Sequence, residues 1–345
     1  MIKIKIYYLM PIFLAANFYF YDQMLYKLLI RPFLFCFQPE FAHHFSFFLL
    51  KIFFFIPGID RVVEYFYCDN DSRLEKKVFG ISFKNPIGLA AGFDKNAAVF
   101  NELASFGFGF IEVGTITPKP QYGNAKPRIF RLKTDQALVN RLGFNNDGVD
   151  IIVERIKKKY KNIVLGGNIG KNKITSNDIA GSDYQKCFKK IAPHVDYLVL
   201  NISSPNTPGL VELQNKSDLQ SLLSQIQSLN KKNYNKPILI KISPDLNFSQ
   251  IDQIIDLVNE FGISGIIATN TSSKREGLTI SKDSISDIGR GGLSGKPIFN
   301  RSKEVVSYIH SKSGGQIPII AVGGVMSADD ALEMLNCGAS LVQIY

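Results

Sequence analysis

Cysteine is scarce in this sequence, and its spacing excludes the usual roles of cysteine clusters. The chain has 345 residues and four cysteines, Cys36, Cys68, Cys187 and Cys337, with no C-x-x-C pair and no adjacent histidine cluster. Such spacing fits neither a zinc site nor a disulfide framework. No metal site is therefore predicted, and a reducing compartment is the simplest expectation.

A long apolar run is also missing. The stretch from Ile6 to Tyr21 carries no charge, but it includes Pro11 and Asn17. It falls short of the ~20 apolar residues that a membrane-spanning helix needs. A signal peptide is the alternative, because Lys3 and Lys5 precede the run, although no small-residue cleavage site follows it.

Basic clusters are absent in spite of the net charge of +10. The lysines are scattered, and no basic run is interleaved with aromatic residues, so nucleic acid is not expected as a partner. An anionic membrane surface and anionic small ligands remain as partners of a basic chain.

Phenylalanine is abundant at the amino-terminal end, where 14 of the 27 lie within residues 1–66. Two short helices are predicted there, Met24 to Ile30 and Glu40 to Ile56, with the Arg31-Pro32 step ending the first. The second helix carries one apolar stripe at helical spacing, formed by Phe41, Phe45, Phe48, Ile52 and Phe55. The stripe either packs on a main domain or lies in a membrane interface.

After Pro57-Gly58, short apolar runs alternate with helical stretches, which is typical of a parallel sheet wrapped by helices. The eight predicted strands are Pro86–Gly92, Phe110–Ile116, Ile163–Gly170, Asp196–Ile202, Pro237–Ser243, Ser264–Asn270, Pro318–Gly323 and Ser340–Tyr345. Helices are predicted after seven of them, at 96–105, 147–160, 182–193, 217–231, 248–261, 300–312 and 327–336. The pattern favours an α/β fold of the (β/α)8 TIM-barrel type over a doubly wound sheet, since no G-x-G-x-x-G follows the first strand.

The residues that end these strands are unusually polar, and in such a barrel they meet at one face. A single asparagine there is usually a turn former. Converging amides are different, because paired donors and acceptors suit the edges of a flat heterocycle. Lys95 and Lys241 suit an anionic substrate or a reduced flavin, and glycines such as Gly295, Gly323 and Gly324 allow close approach to a phosphate.

These strand ends resemble those of the dihydroorotate dehydrogenases, and the resemblance runs from about Met24 to Tyr345. It is carried by four strings, Gly88–Lys95, Asn140–Asn146, Asn201–Gly209 and Gly291–Gly295. A serine at position 204, where soluble class 1 members have cysteine, identifies the chain as similar to the membrane-associated, quinone-dependent class 2.

The resemblance implies oxidation of dihydroorotate to orotate in pyrimidine biosynthesis, with FMN as cofactor. It implies FMN contacts from Ala91, Gly92, Thr115, Asn168, Asn201, Lys241, Thr269, Gly295, Gly324 and Tyr345. It implies that dihydroorotate or orotate is held by Lys95, Asn140, Arg141, Leu142, Gly143, Phe144, Asn201, Asn206, Asn270 and Thr271. Ser204 is then the base that removes a proton from C5 while hydride leaves C6.

A serine base needs a proton acceptor of its own, since an unassisted hydroxyl hardly ionises near pH 7. Thr207, or a water that it holds, is the candidate relay. An ordinary turn is the alternative interpretation of the Ser203-Ser204-Pro205 segment.

Class 2 membership also implies that the amino-terminal helices form a small apolar hood over a tunnel through which quinone reaches the flavin. His43, Arg131 and Tyr345 would line its inner end, although His43 could also be a helix-surface histidine. The protein is then expected to be peripheral on the cytoplasmic side of the inner membrane, with the membrane surface and its quinone as partners.

The expected domains are an apolar extension (1–23), a helical hood (24–66) and an FMN-binding barrel (67–345). Residues 1–23 have no counterpart in a typical bacterial member, and the family continues beyond Tyr345 with a phosphate-binding serine or threonine and an eighth helix. Loss of that helix is expected to weaken FMN binding. Two other functions stay open at this point: an FMN barrel with another acceptor, such as fumarate or a nicotinamide-linked partner, and an inactive ligand-binding barrel.

Overall fold

A computed structural model of the chain describes residues 26–69, 71–207 and 209–345. The chain divides into two compact units, Met1–Cys68 and Asp69–Tyr345. The apolar extension predicted for residues 1–23, with its alternative as a signal peptide, lies outside the described residues. The three-domain division stays a prediction.

The described part of the first unit is helical. A π-helical turn at Tyr26–Ile30 leads into α1 (Arg31–Phe35), which is followed by α2 (Pro39–Phe54) and α3 (Ile59–Tyr67). The first helical element ends at Ile30, as predicted, but the Arg31-Pro32 step does not interrupt the helical chain. Pro32 lies in the first turn of α1, a position that tolerates proline. Of the helices that the structure describes, none combines the length and apolarity needed to span a bilayer.

Helix α3 was not predicted from the sequence. Gly58 adopts a φ of +83° and turns the chain between α2 and α3. Of its apolar residues only Val63 is buried, whereas Tyr65, Phe66 and Tyr67 are exposed. The prediction that the β/α alternation starts directly after Pro57-Gly58 is therefore wrong.

The second unit is built around a closed barrel, as predicted. The first two strands of this unit, β1 (Lys76–Val78) and β2 (Ile81–Phe83), form an antiparallel hairpin outside the barrel. The eight parallel barrel strands are β3 (Ile87–Leu89), β4 (Phe110–Ile116), β7 (Val164–Ile169), β8 (Tyr197–Asn201), β9 (Ile238–Ile242), β10 (Gly265–Ala268), β12 (Ile319–Val322) and β13 (Leu341–Ile344). They pair in chain order, and β13 closes the barrel on β3.

The helices between these strands are α4 (Phe100–Leu103), α5 (Val149–Ile156), α6 (Ala180–Ile191), α7 (Lys216–Asn233), α8 (Phe248–Phe261), α9 (Lys282–Ile288), α10 (Phe299–Lys312) and α11 (Ala328–Asn336). Helix α8 illustrates how local sequence sets their limits. Asn247 and Gln250 form a reciprocal capping box at its start, and Gly262 ends it in the left-handed conformation.

The first helix of the barrel is shorter than the 96–105 predicted. The Asp94 carboxylate accepts the backbone N–H groups of Ala98 at 2.7 Å and Val99 at 2.8 Å. These bonds hold the preceding residues in turns, because a local side-chain acceptor competes with helical hydrogen bonding.

The interior of the barrel is apolar at its amino-terminal end. Phe83 of the hairpin packs edge to face on Phe110, with ring centroids 5.3 Å apart, and Phe110 contacts Tyr197 in the same way at 6.4 Å. All three side chains are fully buried. The hairpin therefore plugs this end of the barrel, and ligands must gather at the other end.

A second sheet lies outside the barrel and was not predicted. It consists of the antiparallel strands β5 (Ile129–Leu132), β6 (Ala137–Asn140) and β11 (Gly292–Gly295), in the order β11-β6-β5. The sheet has its own small core, formed by Leu132, Ala137, Val139, Leu293 and Ile298. It positions Asn140 at the end of β6.

Candidate functional site

A buried carboxylate lies one layer above the apolar plug of the barrel. Glu112, two residues after Phe110 on β4, is 0% exposed. Its Oε1 accepts a hydrogen bond from Asn168 Nδ2 at 2.7 Å, and its Oε2 accepts from Gln343 Nε2 at 2.6 Å and from the Tyr197 hydroxyl at 3.5 Å. Burial, and then the charge of Glu112, raise the pKa of the Tyr197 phenol well above its ordinary value, so the phenol keeps its proton and donates.

A chain of hydrogen bonds connects this carboxylate with the strand ends above it. The Thr115 hydroxyl donates to Asn168 Oδ1 at 2.6 Å, and Asn201 Nδ2 donates to Thr115 Oγ1 at 2.8 Å. Asn270 Nδ2 then donates to Asn201 Oδ1 at 3.2 Å. The structure thus brings together four of the predicted site residues, which come from four different strand ends.

Lys241 on β9 faces the same interior. Lys241 is only 5% exposed. Burial lowers the pKa of its ammonium group, and the negative charge of Glu112 opposes this effect. A cation on a residue this deeply buried suits an anionic ligand group.

Two features near the seventh strand suit a phosphate. Gly324 has a φ of +75°, and a Cβ built there would lie 2.7 Å from the backbone nitrogen of Phe299, where α10 begins. The Thr269 hydroxyl lies 3.0 Å from that of Ser302 on the same helix. Only a glycine at position 324 leaves a ligand room to approach this helix start. Gly295, with a φ of +96°, ends β11 nearby in the chain.

The first strand end forms a small cluster around one carbonyl. Gly92 follows Ala91, and its carbonyl oxygen accepts hydrogen bonds from Lys95 Nζ at 2.8 Å and from the Tyr345 hydroxyl at 3.2 Å. The ring of Tyr345 packs edge to face on Phe93, with centroids 5.9 Å apart. The last and first strands of the barrel thereby share this predicted site region.

Ser204 lies in the loop after β8 and is buried. The backbone N–H of Asn206 donates to its hydroxyl oxygen at 3.4 Å. Asn206 Nδ2 donates to Asn140 Oδ1 at 3.1 Å, and Thr271 donates its backbone N–H to Asn270 Oδ1 at 2.8 Å. Thr207 is 3% exposed, and its hydroxyl oxygen has no hydrogen-bond partner within the part of the chain that the structure describes.

The loop after β6 is held by its neighbours. The Arg141 guanidinium donates to the carbonyl oxygens of Pro127 and Ile288 and lies 4.7 Å from the centroid of the Phe130 ring. Its side chain therefore anchors this loop. Leu142 and Phe144 are buried, whereas the carbonyls of Gly143 and Phe144 each accept from Gln121 Nε2 at 3.1 Å.

The three predicted quinone-site residues are distributed over both units. His43 lies on α2 of the first unit, with its ring centroid 4.3 Å from that of Phe47. Arg131 lies on β5 and Tyr345 follows β13, both in the second unit. The quinone site stays a prediction.

Sequence reasoning missed Glu112, Tyr197 and Gln343. Glu112 and Gln343 stand inside their strands and Tyr197 begins β8, so the search along the carboxyl ends of the strands passed over them. The signal was nevertheless present, because Glu112 is a lone carboxylate in a seven-residue strand that is otherwise uncharged and buried throughout. A charge in such a strand needs partners inside the barrel.

Comparison with known proteins gives one consistent family. The family model described as dihydroorotate dehydrogenase matches residues 73–345. A relative from Christiangramia forsetii, named dihydroorotate dehydrogenase (quinone), is 53% identical over 322 residues, covering 93% of this chain and 93% of its own. A relative of the same name from Coxiella burnetii is 46% identical over 328 residues, covering 93% and 92%.

Solved structures agree with the sequence comparison. The ligand-free DHODH of Eimeria tenella matches with a TM-score of 0.80 and 39% identity, covering 89% of each chain. The same organism's DHODH in complex with ferulenol matches with a TM-score of 0.78 and 38% identity, covering 89% of this chain and 85% of that one. The chain therefore belongs to the dihydroorotate dehydrogenase family of flavin-dependent oxidoreductases.

Proposed function

We propose that this protein oxidises (S)-dihydroorotate to orotate with FMN as its flavin and a membrane quinone as electron acceptor, in the de novo synthesis of pyrimidines. The observation that carries the proposal is the convergence of Lys241, the linked amides and Ser204 at the carboxyl ends of the strands. Relatives that are 45–53% identical bear the name dihydroorotate dehydrogenase (quinone).

The residues at these strand ends fit FMN. Lys241 offers a buried cation to the polar edge of the ring, and Gly324 leaves space for a phosphate at the start of α10. When bound, FMN would supply the hydride acceptor for dihydroorotate and the electron carrier toward quinone. The residues proposed to hold it are Ala91, Gly92, Thr115, Asn168, Asn201, Lys241, Thr269, Gly295, Gly324 and Tyr345.

Amides and one lysine would hold the substrate. Amide donors and acceptors from Asn140, Asn206 and Asn270 suit the ring N–H and carbonyl groups of dihydroorotate. Lys95 supplies positive charge for the substrate carboxylate. The segment from Arg141 to Phe144 is proposed to cover the substrate with its backbone. The Arg141 side chain is not available for this, because it donates to the carbonyl oxygens of Pro127 and Ile288.

Ser204 is proposed to take the proton from C5 of dihydroorotate. A serine hydroxyl must lose its own proton in that step, so a second group has to accept it. Thr207, or a water that it holds, is our candidate relay: its hydroxyl would accept the Ser204 proton while its own proton passes to water. Its buried hydroxyl oxygen has no partner among the described residues and lies three positions along the same loop. Burial of both hydroxyls keeps bulk water away from the reacting carbon.

The first unit is proposed to bring quinone to the flavin. Phe41, Phe48 and Ile52 of α2 are exposed, and such a face suits the boundary between lipid headgroups and acyl chains. We therefore place the protein peripherally on the cytoplasmic side of the inner membrane, with His43, Arg131 and Tyr345 along the quinone path. Nucleic acid is not a proposed partner.

Steady-state turnover with different acceptors tests the proposal. Purified protein is supplied with dihydroorotate and a short-chain quinone analogue, and parallel reactions contain fumarate or NAD in place of the quinone. We expect rapid formation of orotate with quinone alone. Equal or faster rates with fumarate or NAD would contradict the quinone assignment, and absence of orotate with every acceptor would contradict the activity.

A further inference from the structure

The hydrogen bonds that link the strand ends all run in one direction. Asn270 donates to Asn201, Asn201 donates to Thr115, and Thr115 donates to Asn168. Asn168 then donates to Glu112, at 2.7 Å. The four bonds form a chain of donors that ends at the carboxylate.

The direction follows from the chemistry of the last member. An ionised carboxylate accepts hydrogen bonds and cannot donate them. Asn168 must therefore turn its NH2 group toward Glu112, and its carbonyl oxygen is left to accept the Thr115 hydroxyl proton. Because that hydroxyl has one proton, it can only accept from Asn201, whose amide orientation is fixed in turn.

We propose that Glu112 is a positioning residue of this enzyme, the terminal acceptor that fixes the orientation of the Asn168 and Asn201 amides. Without such an acceptor, the Asn168 amide could rotate by 180° and exchange its donor and acceptor faces. The Asn201 amide would then keep only the bonds that its Oδ1 accepts, among them the long one from the backbone N–H of Ser203, at 3.4 Å, to hold its orientation. This inference rests on the proposed function, in which the Asn168 and Asn201 amides contact FMN and substrate.

The environment of Gln343 indicates that Glu112 acts by accepting hydrogen bonds rather than by its negative charge. Its Nε2 donates to Glu112, while its Oε1 is buried and has no hydrogen-bond partner in the part of the chain described. The carboxylate thus imposes one orientation even where a carbonyl is left unsatisfied. The same Gln343 amide can rotate if its neighbour becomes a donor.

This gives two substitutions with different expected effects. In Glu112→Gln, the new carbonyl can still accept from Asn168, and the new NH2 can donate to a rotated Gln343, so the chain keeps its direction. In Glu112→Met, the shape is similar but no strong acceptor remains. A buried donor left unsatisfied typically weakens a dependent equilibrium by roughly tenfold or more.

The test measures two affinities of the FMN-loaded enzyme and its variants. Release of FMN on dilution is followed by the fluorescence of free flavin, and orotate binding is followed by its effect on the flavin absorbance. Thermal unfolding of each variant is recorded alongside. Tyr197→Phe is the matched control, because it removes another donor to Glu112 but leaves the chain intact.

We expect Glu112→Gln and Tyr197→Phe to keep both affinities within about threefold of the wild type, and Glu112→Met to lose about tenfold or more in each. Similar losses in Glu112→Gln and Glu112→Met would overturn the proposal, since charge would then be the property that matters. Wild-type affinities in Glu112→Met would overturn it as well.

If Glu112→Met does not fold, the Gln variant still decides, because the proposal requires its affinities to stay near those of the wild type. Failure of the proposed function is distinguishable from these outcomes. It would appear as a wild-type protein that does not bind orotate, whereas the FMN measurements would still report on the amide chain.

Discussion

The Ser204 hydroxyl accepts the backbone N–H of Asn206, and within the described residues no carboxylate or imidazole, the groups that usually activate a hydroxyl, is hydrogen-bonded to it. The sequence alone suggested this site, because the Asn201–Gly209 string is distinctive. It did not indicate how the hydroxyl is surrounded, since burial depends on residues far away in the chain.

Replacing Ser204 by alanine is expected to slow reduction of the flavin by dihydroorotate by about 10²- to 10⁴-fold, the usual contribution of a positioned base. FMN should stay bound, because Ser204 is not among the proposed flavin contacts. Rapid mixing without oxygen measures the rate. If the variant keeps more than about a tenth of the wild-type rate, less than that range allows, Ser204 is not the base.

Glu112 shows the limit of sequence reasoning at the same scale. The family resemblance implied Asn168, Thr115 and Asn201 as site residues, and all three lie in polar strand ends. Their common acceptor was not predicted, because a residue in the middle of a strand reaches them only when eight strands close into a barrel.

Among the elements, the barrel strands were predicted well and the sheet β11-β6-β5 was not. Each barrel strand is a short, mainly apolar and mainly buried run, which is a strong signal. Strand β11 has the sequence Gly-Leu-Ser-Gly, with little strand propensity. It is ordered by pairing with β6, from a distant part of the chain, and no local pattern reports such pairing.

One loop of this sheet depends on a carboxylate. Asp135, in the turn between β5 and β6, accepts the backbone N–H of Thr279 at 2.7 Å and its hydroxyl at 2.8 Å. The hydrogen bond from the Thr279 backbone N–H, together with the other hydrogen bonds to this carboxylate, lowers the pKa of the Asp135 carboxyl below its ordinary value. Its contribution to stability is therefore present above the unfolded pKa and is lost as the pH falls through the folded pKa.

Asp135→Asn is expected to reduce the free energy of unfolding by about 1–2 kcal/mol at neutral pH, because a charged acceptor is replaced by a neutral one. The difference from the wild type should shrink below about pH 4, where the wild-type carboxyl gains its proton. Urea unfolding across this pH range measures it. A difference that stays constant down to low pH would contradict a role for the charge.

Helix α2 makes a separate prediction for membrane binding. Phe48 and Ile52 are 59% and 53% exposed. Changing both to glutamine is expected to weaken binding to anionic lipid vesicles by about tenfold or more. Each apolar side chain is worth ~1.5–3 kcal/mol at full burial, and only about half of each is exposed and can be newly buried in lipid. His44→Gln, an exposed polar position of the same helix, is the control. Equal vesicle binding by all three proteins would show that this face does not contact lipid.

At the scale of the whole molecule, eight short strands bring residues from 91 to 345 to one end of a barrel whose other end is plugged by Phe83 and Phe110. The order of apolar runs was sufficient to predict this architecture.

The central claim is that dihydroorotate reduces a flavin held at these strand ends and that quinone then reoxidises it. A single anaerobic experiment on the wild-type protein with FMN bound tests both halves. We predict that one equivalent of dihydroorotate bleaches the flavin absorbance with formation of one equivalent of orotate, and that a quinone analogue restores the colour. A flavin that stays oxidised in excess dihydroorotate, while the protein remains folded, would contradict the account.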